Sequence, residues 1–290
     1  ILGVNKVAGV PVQADRTRDL DLLTMGKDFL KQRFGKPGNV YLGLVHRLDR
    51  PVSGVVCFAR TSKAAARLSA SFRERQVCKI YLAVVSGHLQ GTGALRHKIA
   101  KRQQRSTATN SLALPVQVYE ESYDDPKAKL AHLRWKSLAN FSLARNASSN
   151  CGGNQTLLAV SPITGRKHQI RAQLAHIGHP VIGDTKYSQM PRLKNRCIGL
   201  HAACLWVPNP INTGKMTHLQ QDHLISPLYD SFLETSEQFM ESQVSQQLAE
   251  GQIQRGNKML PLMANLPPFW RNMVGDNIFH IGCKYIESLS

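Results

Sequence analysis

Three short segments hold residue types able to do chemistry: His46-Arg47-Leu48-Asp49, Lys79-Ile80-Tyr81-Leu82-Ala83, and the run from Gly165 to Arg171. An ionised carboxylate such as Asp49 can act as nucleophile or general base, and a phenol such as Tyr81 can stack on a ring or help move a proton. A guanidinium such as Arg171 can keep a carboxylate charged. Each residue also has an ordinary structural role. An Asp in a turn bearing Gly and Ser caps that turn, a Tyr on a strand fills a core, and an Arg on a helix faces water. Taken singly, the ordinary roles outweigh the chemical ones.

The surrounding pattern says which elements must position them. An apolar strand opens the chain and turns at Gly9 and Pro11, and a helix follows. Asp19 or Asp21 can cap that helix, whose apolar Leu22, Leu23, Met25, Phe29 and Leu30 recur at near-helical spacing. Strand-like runs at 40–45 and 54–59 flank the polar connection 46–53 that carries Asp49. Residues 62–75 have a helical pattern and lead into a strand at 80–85 that carries Tyr81. A strand at 156–161 passes through Pro162, Thr164 and Gly165 into a helix bearing Ile170, Leu174 and Ile177 at i, i+4 and i+7. Thr164 is its expected N-cap, and Gly178 and Pro180 end it. Further helix is expected at 230–250, a loop at 256–268, and a terminal packing segment at 269–285.

The 290 residues suffice for a sizeable core, and 37 Lys and Arg against 19 Asp and Glu give a formal charge of +18. A charge that large attracts polyanions, so nucleic acid leads the partner classes. The basic run at Arg96, Lys98, Lys101, Arg102 and Arg105 reads as a solvated loop or a phosphate-tracking arm, the second being favoured by the overall charge. Six scattered cysteines without a CxxC pair fit a reducing compartment better than a disulfide scaffold. Cys197, His201 and Cys204 lack a fourth ligand at suitable spacing, and no metal site is expected. No apolar run reaches the roughly 20 residues that span a bilayer.

The three segments together resemble the RluA-type RNA pseudouridine synthase family, and the likeness covers residues 1–210. It begins with Val4-Asn5-Lys6 and Gly9-Val10-Pro11-Val12, then runs through His46-Arg47-Leu48-Asp49, Ser53-Gly54 and Lys79-x-Tyr81-Leu82-Ala83. It continues with Pro162-x-Thr164-Gly165-Arg166-x-His168-Gln169-Ile170-Arg171, Gly178-x-Pro180, Gly183-Asp184 and Tyr187, and ends on Leu200-His201-Ala202. The likeness also accounts for the Cys197, His201 and Cys204 group as a core element.

The resemblance implies an α+β pseudouridine synthase fold, a mixed and largely antiparallel sheet with flanking helices and a central RNA cleft. It implies an isomerase that needs no cofactor, with Asp49 as the essential carboxylate, Arg171 as its charge partner and Tyr81 as the active-site tyrosine. Arg47 matches the arginine that enters the RNA where the base has been extruded. Arg50, Lys79, Arg166 and Lys167 are expected phosphate contacts. Residues 1–216 would form the catalytic domain, with an insertion at 140–155, and 217–290 an insertion and extension packed on it. Val7 and Pro51-Val52 depart from the family's usual residues without removing a motif position.

The expected substrate is structured RNA, ribosomal RNA first, with transfer or messenger RNA as alternatives. A rival reading is an RNA-binding assembly factor for the large ribosomal subunit that uses the same fold, with assembly proteins as partners and no membrane. The chain opens on Ile1 instead of Met, so an upstream start is expected. A mitochondrial location fits that start and the basic composition, and a cytoplasmic one is the alternative.

Overall fold

The computed structural model describes residues 1–101, 115–143, 153–193, 197–211 and 259–287. The helix expected at 230–250 lies outside the described residues, as do Arg102, Arg105 and positions 144–152 of the expected insertion. The chain forms two compact units, one of residues 1–79, 202–267 and 283–290, the other of 80–201 and 268–282.

In the first unit, β1 (Leu2–Lys6) lies antiparallel to β3 (Ser53–Ala59), with Leu2 opposite Phe58 and Lys6 opposite Gly54. All seven residues of β3 are buried, as expected for a strand covered on both faces. The short β2 (Gly43–Leu44) also pairs with β3, so only the end of the expected 40–45 strand is realised. On the other side of β3 lies β9 (Leu200–Pro208), which pairs with β10 (Met259–Met263). That strand replaces part of the loop expected at 256–268. Gly54 makes the close approach of β3 and β9 possible. Its φ is +119°, and a Cβ there would lie 2.2 Å from the carbonyl oxygen of Ala202, so no side chain fits.

Helix α1 (Leu22–Arg33) begins at Asp21, whose Oδ1 accepts from the N–H groups of Leu23 and Thr24 at 3.0 and 3.1 Å. It buries Leu22, Gly26 and Leu30, spaced by four, while Met25 and Phe29 stay exposed. The expected apolar face was therefore drawn too wide: a small glycine, with Leu42 closely packed over it, lies on the buried stripe in their stead. Helix α2 (Ser62–Arg73) is capped by Thr61.

The second unit is an antiparallel sheet in the order β4-β8-β7-β5-β6. Its strands are β4 (Cys78–Ser86), β5 (Thr92–Lys101), β6 (Val116–Glu120), β7 (Lys129–Leu143) and β8 (Gly153–Pro162). Arg96, Lys98 and Lys101, read as part of a loop or arm, belong to β5, where alternation sends Arg96 toward Glu121 and water. Helix α3 (Gln169–His176) packs Ala172 against Ile99, Val116 and Ala131. Thr164 is not its N-cap; His168 is, with a left-handed φ of 55° and no side-chain bond to the helix. The terminal segment folds as α4 (Phe269–Val274) and α5 (Asp276–Glu287). The result is the expected α+β class, with strands outnumbering helices among the described residues.

Candidate active site

Asp49 is half-buried in the connection between β2 and β3, beside buried Leu48. Its backbone is held firmly. The Asp49 carbonyl accepts from the Val52 N–H at 3.0 Å, and the next carbonyl, of Arg50, accepts from the Gly9 N–H at 2.8 Å. Lys6, at the end of β1 and fully buried, donates from Nζ to the carbonyls of Val7, Val10 and Arg50 at 3.0, 2.9 and 3.1 Å. One ammonium thus ties the opening turn to the loop that carries Asp49. Burial pushes Lys6 down to about 7, partly opposed by the nearby Asp49 charge. Arg50 completes the brace, donating to the Gly9 carbonyl at 2.7 Å and to Thr17 at 3.0 Å while pairing with Asp19.

His46, at the start of the motif, accepts at Nε2 from the Cys57 N–H at 2.9 Å and stacks on Phe72 with ring centres 4.7 Å apart. That nitrogen must be unprotonated to accept. Burial, helped by the charge of Lys79, pushes its pKa down to about 3.

Along β4, Lys79 and Tyr81 are half-buried between fully buried Cys78, Ile80 and Leu82. Burial lowers the Lys79 pKa to about 8 and raises that of Cys78 to about 12, so this thiol stays protonated and unreactive at neutral pH. Tyr81 lies opposite Val160 of β8.

Arg171, in the first turn of α3, is 3% exposed and makes a two-pronged ion pair with Asp184. Its Nε donates to Oδ2 at 2.6 Å and its Nη2 to Oδ1 at 2.8 Å. The guanidinium carbon also lies 5.3 Å from the centre of the Tyr187 ring, whose hydroxyl meets His168 Nδ1 at 2.9 Å. Gln169 locks the lead-in: its Oε1 accepts from Thr164 and from the Arg166 N–H at 2.7 and 2.9 Å, and its Nε2 donates to the His132 carbonyl. The ion pair was missed in sequence. Gly183-Asp184 was noted as part of a motif, but nothing in its spacing marks Asp184 as the partner of Arg171.

The expected phosphate contacts differ in surroundings. Arg47 and Lys167 are exposed, whereas Arg166 is half-buried with its Nε on the Leu130 carbonyl at 2.8 Å. Arg47, Asp49 and Arg50 share the loop of the first unit, and Arg166, Lys167 and Arg171 share α3 and its lead-in within the second.

An α+β, mainly antiparallel scaffold carries these residues, and comparison with known proteins supplies the class, that of RNA-modifying isomerases. Residues 1–176 match the family described as RNA pseudouridylate synthase, and the chain belongs to that family. The tRNA pseudouridine synthase C of Haemophilus ducreyi is 31% identical over 225 residues, covering 75% of this chain and 85% of that protein. The ribosomal large subunit pseudouridine synthase C of Buchnera aphidicola is 33% identical over 155 residues, covering 53% and 42%. Among solved structures, human RNA pseudouridylate synthase domain containing 1 is similar at a TM-score of 0.54 and 25% identity, over 80% of this chain and 91% of that one. The chain is an RNA pseudouridine synthase, an isomerase acting on uridine in RNA.

Proposed function

We propose that Asp49 is the carboxylate on which the isomerisation turns, and the observation that carries this is the brace around its loop. Lys6 and Arg50 together fix the backbone that follows Asp49, which pre-organises one half-buried carboxylate. In the reaction the bond from ribose C1′ to uracil N1 breaks, a bond from C1′ to C5 forms, and the C5 proton leaves as N1 gains one. Atoms and electrons balance. An ionised Asp49 serves as nucleophile or base and offsets positive charge developing on the sugar. Tyr81 stacks on the turning base and assists proton movement at C5, and Arg171, its guanidinium fixed by Asp184, supplies positive charge to the chemistry. Arg47 fills the place of the extruded uridine, with Lys167 on phosphate.

The substrate in this reading is a structured RNA recognised by shape and phosphates. Transfer RNA comes first, because the relatives that cover most of this chain are named for it. Ribosomal RNA, expected from sequence, comes second on the strength of the Buchnera relative's name. Pseudouridine mapping of both RNA pools from depleted cells, complemented with wild type or Asp49→Asn, tests both statements. Sites lost on depletion, restored by wild type and lowered about 10²- to 10⁴-fold in rate by Asp49→Asn would establish the role. Sites restored equally by both would remove Asp49 from it.

A further inference from the structure

The second unit brings together three residues that the isomerisation does not use: His97 on β5, Glu120 on β6 and His176 at the last position of α3. His97 and Glu120 are directly opposed in the β5–β6 ladder, which sets their side chains on one face. His176 reaches the same spot from the helix above, its Nε2 3.5 Å from Glu120 and its ring edge-on to His97 with centres 4.9 Å apart. One ligand atom from each lies within 4.8 Å of the others. We propose that His97, Glu120 and His176 bind a divalent transition-metal ion of the zinc type, which fastens the β5–β6 edge to the C-terminal end of α3.

The donor set suits such an ion. Two imidazoles and a carboxylate are borderline ligands of the kind zinc takes, and a fourth position remains for water. Tetrahedral bonds of about 2.0–2.1 Å put ligand atoms about 3.3 Å apart, so the three need to close by up to about 1.5 Å. Glu120 and His176 are exposed and can supply that movement by rotamer change, and they give an ion from solution a path of entry.

His97 is held by a second contact on its other ring nitrogen. It is 7% exposed, and its Nδ1 lies 3.0 Å from Nε2 of fully buried Gln173. That leaves Nε2 of His97 for the metal. Gln173 also shares its amide nitrogen with the carbonyls of Leu95 and Ala131 at 3.3 and 3.2 Å, three acceptors for two hydrogens, while its Oε1 is buried without a hydrogen bond among the described residues. A metal on Nε2 places a proton on Nδ1. Turning the Gln173 amide then sets its oxygen opposite that proton and keeps the contact with His97, at the expense of the amide nitrogen's bonds to the Leu95 and Ala131 carbonyls. The sequence expectation of no metal site rested on local spacing, and these three ligands come from separate elements.

The test uses the purified chain, freed of metal with a chelator, titrated with Zn²⁺ and separately with Co²⁺. One ion per chain, a cobalt spectrum without thiolate charge-transfer bands, and a melting temperature raised by zinc are expected. Because His97 is buried and its loss can unfold the unit, His176→Ala and Glu120→Gln carry the comparison. Each should keep the metal-free melting temperature, weaken zinc more than about tenfold and abolish the zinc-induced rise. Absent binding in wild type, equal binding in both variants, or a thiolate cobalt spectrum would each overturn the site. Pseudouridine formation is measured alongside but decides nothing here, since Asp49 stands apart from this cluster in both sequence and proposed role.

Discussion

His46 illustrates how a motif residue can matter through its neutrality. Its Nε2 accepts the Cys57 N–H, and its folded pKa of about 3 lies below the ordinary value of 6.5. Between those two values the unfolded chain binds a proton that the folded chain refuses. Stability from this group is therefore complete above about pH 6.5 and is lost as pH falls toward 3, by about 1.4 kcal/mol per pH unit. Urea unfolding from pH 4 to 8 should show this slope below about pH 6.5 in wild type, and His46→Gln, which keeps an acceptor but does not titrate, should flatten it. An unchanged slope would place the acid sensitivity elsewhere. The Arg171–Asp184 pair makes a different residue-scale prediction. Both groups are almost wholly buried, so Asp184→Ala strands a charge and should cost roughly 3–5 kcal/mol. Replacing both, as Arg171→Met with Asp184→Leu, should recover most of that stability while pseudouridine formation stays lost. Recovery of activity in the double variant would mean that the arginine serves packing alone.

At the scale of elements, the loop of Asp49 is held from outside by β1 and by the segment that precedes α1. Asp19, Thr17 and Asp15 all engage Arg50, and Asp21 caps the helix that follows directly. Asp21→Ala should cost about 1 kcal/mol in unfolding, up to about 2, and because Leu22 and Leu23 donate to the carbonyls of Pro11 and Val12, looseness there reaches the same braced turn. Equal unfolding midpoints for variant and wild type would show the cap to be idle. Elements of this kind were legible in sequence: β3 is a continuous apolar run, α1 carries a good cap before a helical stripe, and the lead-in to α3 breaks at Pro162 and Gly165. Other elements were hidden by charge. In β5 the outward positions are Arg96 and Lys98, so a half-buried strand reads as a basic loop, and β10 was missed beside a turn-rich stretch. The residues of the proposed site divide in the same way. Asp49, Tyr81 and Arg171 stood in contiguous motifs, whereas Asp184 and the His97, Glu120 and His176 group depend on a turn and on strand register, which short-range spacing does not encode.

For the whole molecule the dominant quantity is the excess of 37 basic over 19 acidic residues. Part of that excess is spent internally: Arg50, Arg96 and Arg171 face carboxylates, and Lys6 faces carbonyl groups. Arg47 and Lys167, by contrast, are exposed. Association with RNA should then be driven largely by release of counterions from phosphate, and log Kd should change linearly with log salt. Six or more phosphate contacts would weaken binding by about 10³-fold or more between 50 and 200 mM salt. Filter binding of a substrate RNA over that range gives the slope for each variant. Lys167→Ala should lower the slope by about one contact, Asp49→Asn should leave it unchanged, and the salt slope of Arg50→Ala should change less than that of Lys167→Ala because its guanidinium is already engaged within the fold. If Arg50→Ala instead reduces the slope as much as Lys167→Ala, then its internal partners release it on binding, and the brace around Asp49 is itself part of how the enzyme meets its RNA.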